Sequence, residues 1–151
     1  MTNTERISTS PALGTTLLEA ILLLTLLGVL TAASIRGGAL LRDRWAVVAA
    51  RDALASVVRE ARGVAVGRGG ATVTLATTPP EVVLTSSGEA LRRIDLAREW
   101  GVALDLGGSM TRADLHFDAA GVGRMAARTV RVTLGGAEAV LVVSAYGRVR
   151  R

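Results

Sequence analysis

An apolar run broken by a single charge limits this chain more than any other feature. From Thr15 to Ile35 the sequence TTLLEAILLLTLLGVLTAASI extends 21 residues with Glu19 as its one ionisable side chain. A bilayer-spanning helix needs ~20 consecutive, mostly apolar residues, so this stretch is predicted to be a transmembrane helix. A carboxylate at the centre of such a helix is penalised by roughly 2.5–3.5 kcal/mol. Glu19 lies near the start of the run, ~6 Å along the helix axis, where the penalty is smaller but still needs an offset. Snorkelling to the interface and the positive end of the helix dipole supply one offset. A cationic partner supplies another.

The flanks of the run differ from it and from each other. Met1 to Gly14 is polar, rich in Thr and Ser, and carries Pro11, which predicts a short unstructured leader. Beyond Arg36, Leu41, Trp45, Val48, Ala55 and Val58 recur at helical three- and four-residue spacing. This predicts an amphipathic helix reaching about Ala61. Gly37 and Gly38 lie between the two helical stretches; glycine costs ~1 kcal/mol relative to alanine there, so a bend is expected. From Ala71 the apolar period shortens to two, predicting strands over 71–76, 81–85, 91–96, 102–106, 113–118, 129–134 and 139–144. The breaks are Thr78-Pro79-Pro80, Ser86-Ser87-Gly88, Gly107-Gly108 and Gly135-Gly136. Strands in succession with no helices between them argue for an antiparallel α+β domain. The expected architecture is a long N-terminal helix, transmembrane then amphipathic, packed on an antiparallel β-sheet domain. Its boundaries are a leader over 1–14, a membrane helix over 15–35, the outer part of the helix over 36–66 and a globular β domain over 67–151.

Composition narrows the chemistry. Of the 151 residues, about 115 follow Arg36, enough for one small core and no second domain. With no cysteine there is neither a disulfide framework nor thiol chemistry. The net charge of +5 comes with 18 arginines and no lysine, and arginine's high pKa raises the pI to about 11.3. That charge permits binding to an anion without requiring it. Asp114, His116 and Asp118 alternate along one strand and share a face, a pattern able to hold a metal. Leu115 and Phe117 on the other face explain it more simply as a half-buried strand with a solvated side. One histidine and no cysteine leave nucleophilic dyads scarcely available. Gly67-Arg68-Gly69-Gly70 lacks the Lys-Ser/Thr of a phosphate loop and reads as a turn. No catalytic residue, metal set or cofactor motif emerges, and the chain reads as a non-enzyme.

The string Gly14-Thr15-Thr16-Leu17-Leu18-Glu19, followed directly by the apolar run, resembles the class III signal peptide of type IV pilins and pseudopilins. That signal has a short polar leader, a glycine, and a mature helix whose fifth residue is glutamate. The resemblance implies cleavage after Gly14 by a prepilin peptidase on the cytoplasmic face and N-methylation of the new terminus at Thr15. It also implies that Glu19 pairs with the terminal ammonium of a neighbouring subunit during assembly. Thr15 stands where the family usually has phenylalanine, and the usually basic leader here balances Arg6 with Glu5. Arg36, Arg42 and Arg44 follow the span; counted alone, they favour the orientation opposite to the one the resemblance implies.

The C-terminal end is similar to the GspH/FimT group of minor pseudopilins. The similarity lies in Leu115-His116-Phe117-Asp118-Ala119-Ala120-Gly121, the strand Thr129 to Leu134, and Val140 to Ser144 ending in Tyr146-Gly147-Arg148. The helix ending Arg59-Glu60-Ala61-Arg62 is similar to the group's helix end, whereas the stretch from about Thr77 to Arg112 matches weakly. The resemblance implies a single-pass inner-membrane protein with its C-terminal domain in the periplasm. Its partners would be other pseudopilins or pilins in a filament, and its work the support of type II secretion or of a type IV pilus. An alternative is a FimT-like minor pilin binding DNA for uptake through Arg148, Arg150 and Arg151, although charged chain ends are also commonly just solvated. Two further alternatives stay open: a secreted domain cut by signal peptidase near Thr31-Ala32-Ala33, and an unprocessed single-pass anchor.

Overall fold

The computed structural model describes residues 16–124 and 126–150, with the backbone alone for 33–37. The leader over 1–14, including Gly14, and the residues Thr15 and Arg151 lie outside the described residues. The chain divides into two compact units, Met1–Gly37 and Gly38–Arg151. Helix α1 (Leu17–Arg68) is assigned over 52 residues and contributes to both.

In the first unit the helix carries Leu17 to Gly37. Its described side chains, 16–32, are all exposed. Among the described residues no helix is long and apolar enough to cross a membrane. The stretch with described side chains is shorter than the 21-residue run Thr15–Ile35 read from the sequence. Gly37 and Gly38, where a bend is expected, are both helical.

The second unit is the globular domain. Its part of α1 buries Val47, Ala50, Leu54, Val57, Val58, Ala61 and Ala65, recurring every three to four residues as one helix face. The helix runs past the expected end near Ala61 to Arg68. Gly63 and Gly67 weaken it, but Ala65 is fully buried and Val64 packs on the core, so tertiary packing outweighs local propensity. Gly69, at φ 82°, then ends it with the left-handed residue that typically follows a helix.

Instead of one sheet, the strands form two, both antiparallel. The first contains β1 (Gly70–Thr77), β2 (Pro80–Ser86), β3 (Glu89–Asp95), β5 (Arg112–Asp118) and β6 (Gly123–Arg124), in the order β3-β2-β1-β5-β6. The second contains β4 (Ala103–Asp105), β7 (Arg128–Leu134), β8 (Ala137–Val143) and β9 (Val149–Arg150), in the order β4-β7-β8-β9. Alternation explains both: Val73 and Leu75 in β1, Leu115 and Phe117 in β5, Val130 and Val132 in β7, and Leu141 and Val143 in β8 point inward. They join the buried helix residues in one hydrophobic cluster. The β2–β3 hairpin closes through Ser87 at φ 52° and Gly88 at φ 81°, the backbone a tight type I′ turn demands.

Three short elements were not expected. Helix α2 (Leu96–Trp100) is one turn long, capped by Asp95, whose carboxylate accepts from Arg98 N–H at 2.9 Å. Gly101 at φ 71° closes its other end, donating to the Ala97 carbonyl at 2.8 Å. Strands β6 and β9 each contain only two residues, too short to show a period.

Candidate functional site

Glu19 sits in the first turn of α1. Its backbone N–H donates to Thr16 Oγ1 at 3.3 Å, so Thr16 caps the helix and Thr16-Leu17-Leu18-Glu19 has the spacing of a capping box. The reciprocal half of that motif is missing among the described residues: no hydrogen bond or ion pair reaches the exposed Glu19 carboxylate. The other polar side chains described nearby are satisfied by their own helix. Thr25 Oγ1 donates to the Leu22 carbonyl at 2.8 Å, and Thr31 Oγ1 to those of Leu27 and Gly28 at 2.9 Å. A hydroxyl satisfied in this way tolerates an apolar medium. Around them Leu17, Leu18, Ile21, Leu22, Leu23, Leu24, Leu26, Leu27, Val29 and Leu30 are each at least half exposed. The result is an apolar cylinder carrying, near its start, one carboxylate that has no partner among the described residues.

In the globular unit, α1 has a second apolar face turned outward. Leu40, Leu41 and Trp45 are well exposed, and Val48 is at the edge of exposure. Leu41, Trp45 and Val48 therefore lie away from the core expected for them, while Ala55 and Val58 are buried as expected. Apolar residues occur on more than one face here, so the spacing alone did not tell the inward stripe from the outward one.

The basic end of the chain is tied down. Arg150 pairs with Val142 across β8–β9, the Ser144 N–H donates to the Arg148 carbonyl at 2.8 Å, and the Arg148 N–H donates to Ser144 Oγ at 3.0 Å. The chain thus ends, among the described residues, in a short edge strand, Val149–Arg150. Arg148, just before β9, and Arg150, within it, are both exposed. No ion pair engages either among the described residues.

Two glycine contacts account for the C-terminal pattern. A Cβ at Gly147, where φ is 75°, would collide with the Phe117 ring, and a Cβ at Gly123 would lie 2.7 Å from the Gly147 nitrogen. The turn before β9 therefore closes over Phe117 only without a side chain at either position. The preceding loop docks on α1: Arg62 Nε donates to the Gly121 carbonyl at 3.0 Å, and a Cβ at Gly121 would come within 3.1 Å of the Arg62 carbonyl.

Asp114, His116 and Asp118 do share the exposed face of β5, but each has its own partner. Thr74 Oγ1 donates to Asp114, and Thr72 Oγ1 lies 3.1 Å from His116 Nδ1. Asp118 Oδ1 accepts from the Ala120 and Val122 N–H groups at 3.0 Å, and its Oδ2 accepts from Arg124 Nε at 3.2 Å. The Val122 N–H, then Arg124, holds the Asp118 carboxyl below the usual carboxylate range. Among the described residues no cluster has the composition of a metal site.

No protein-family model and no curated protein sequence matches the chain. Solved structures do. The type IV minor pilin FimU of Pseudomonas aeruginosa strain PAO1 aligns in two crystal forms, with TM-scores of 0.54 and 0.52 and 21% identity in each. The alignments cover 69% and 68% of this chain and 86% and 89% of FimU. The fold is a type IV pilin fold. A helix on antiparallel sheets, expected from the sequence, is what the two proteins share. The predicted residues are spread over both units of the chain. Glu19 belongs to the first unit, Arg148 and Arg150 sit at a sheet edge of the second, and Gly14, Thr15 and Arg151 fall outside the described residues.

Proposed function

We propose that this chain is a minor subunit of a pilin-type filament, the pseudopilus of type II protein secretion. Thr15–Ile35 holds it in the inner membrane as a single pass, with the C-terminal domain in the periplasm. Prepilin peptidase releases the leader after Gly14, and Thr15 becomes the N-methylated terminus. The filament forms as the apolar helices of neighbouring pilins or pseudopilins pack together, and Glu19 sets their register by pairing with a neighbour's terminal ammonium. The observation that carries this reading is the apolar cylinder 17–32 with its single carboxylate, which has no partner among the described residues. Such a surface calls for an apolar surrounding and a cationic partner. The pilin fold supports it.

The test is recovery of the chain with sheared or affinity-purified filaments from cells carrying the other subunits. Glu19→Ala and Glu19→Gln are expected to keep membrane levels and lose most of the filament-associated fraction. Full incorporation of both variants would contradict the role of Glu19.

A second reading, a minor pilin that takes up DNA, draws on two exposed arginines, Arg148 just before β9 and Arg150 within it. An arginine that neutralises a DNA phosphate contributes about one unit to the salt slope of binding. Arg148→Ala/Arg150→Ala is expected to weaken retention of double-stranded DNA in a mobility-shift assay and to flatten that slope. Equal retention by parent and variant would remove this reading.

A further inference from the structure

The chain has two tryptophans, and both line one groove. The groove, of about 590 Å³, lies between α1 and the single turn of α2 and is bordered by Arg42, Trp45, Arg98, Glu99 and Trp100. Trp45 is 72% exposed, an unusual position for the largest apolar side chain unless something covers it. Trp100 packs its inner side on the core. On the far side of Trp45, Leu41, Arg44 and Val48 line a second, almost wholly apolar hollow. Arg42, Arg44 and Arg98 are exposed, and no ion pair or side-chain hydrogen bond engages any of them among the described residues. Of the residues lining the two hollows, Glu99 is the acidic one.

We infer that this groove seats the globular domain on the anionic headgroups of the membrane. The surface combines indole rings with unpaired guanidiniums, and this is the chemistry of the lipid–water interface. Tryptophan concentrates there because one part of its ring is apolar and the other donates a hydrogen bond. Arginines beside it attract anionic lipid. Acidic protein surfaces satisfy arginines equally well, but they leave the neighbouring hollow of Leu41, Trp45 and Val48 uncovered unless they are also apolar. A short tether favours the bilayer. Trp45 follows Ile35 by ten positions, at most ~35 Å even for a fully extended chain, so the groove is held at high effective concentration over the surface. The inference rests on the membrane anchoring proposed above. It adds a parked state, in which the subunit awaiting assembly lies against the bilayer and leaves it on entering the filament.

The test uses the full chain reconstituted in liposomes of phosphatidylcholine, with and without phosphatidylglycerol. Trp45 is read alone in a Trp100→Phe variant, and Trp100 alone in Trp45→Phe, so that a folding defect in one is caught by the other. With phosphatidylglycerol, Trp45 emission is expected to shift to the blue and to be quenched by lipid brominated near the headgroup. Arg42→Glu/Arg98→Glu and raised salt are each expected to abolish most of that quenching. Flotation of the chain with the liposomes reports the anchor separately. Flotation without quenching overturns the inference and leaves the anchor standing, whereas failure to float removes both. Equal quenching in neutral lipid, or a shift that grows only with protein-to-lipid ratio, also overturns it; the latter outcome assigns the groove to a second copy.

Discussion

Gly147 and Asp118 each hold the C-terminal end in place by means of one residue's particular chemistry. Gly147→Ala introduces both a left-handed backbone strain and a collision with Phe117, and is expected to destabilise the domain by about 2–4 kcal/mol. Gly88 has a similar φ of 81° with open space around it, so Gly88→Ala is expected to cost only about 1 kcal/mol. Urea midpoints of the two variants separate the packing contribution from the backbone one. Asp118 works through charge. Its carboxyl is held below the usual range, so its stabilisation is present above the unfolded-state pKa of about 3.9. That stabilisation is lost as pH falls through the lower folded value. Parent and Asp118→Asn are therefore expected to differ in thermal midpoint at neutral pH and to converge well below pH ~4; a constant gap across that range would contradict the assignment. In the sequence Phe117, Asp118 and Gly147 were legible only as parts of a family-like pattern; the Phe117–Gly147 contact was not, because the two meet only through tertiary packing.

At the scale of elements, the sequence was most informative where a pattern ran long. The seven expected strands correspond to β1–β5, β7 and β8 within a few residues; β1, β2, β5, β7 and β8 alternate over at least one buried pair, whereas β3 and β4 bury one residue each. Helix α1 was recognisable but drawn too short, since its last turns contain Gly63 and Gly67 and are held by the burial of Ala65. Elements of one turn or two residues leave no period. For α2 the available signal was instead a pair of caps, Asp95 before it and Gly101 after it. Asp95→Ala removes the carboxylate that accepts from Arg98 N–H and is expected to destabilise the domain by about 1 kcal/mol, whereas Asp95→Asn should retain most of the stability. Guanidinium unfolding of the two variants is the comparison to make. The candidate site was legible in a similar degree: Glu19 stood out as one charge in an apolar run, but its cap on Thr16 and the outward turn of Trp45 needed coordinates.

At the scale of the whole molecule, the pilin fold and the apolar cylinder ask for different surroundings. The domain buries one continuous core of its own, while residues 17–32 leave their apolar side chains uncovered. A chain of this kind is completed by a bilayer or by other copies of the same kind of helix, and passage from one to the other is the act of assembly proposed here. Everything in that account depends on where the mature chain begins. The decisive measurement is the intact mass and N-terminal sequence of the protein recovered from membranes of a cell that has a prepilin peptidase. A chain starting at Thr15, with or without an added methyl group, is the predicted result. A chain starting at Ser34, or one retaining Met1, would contradict the filament-subunit account.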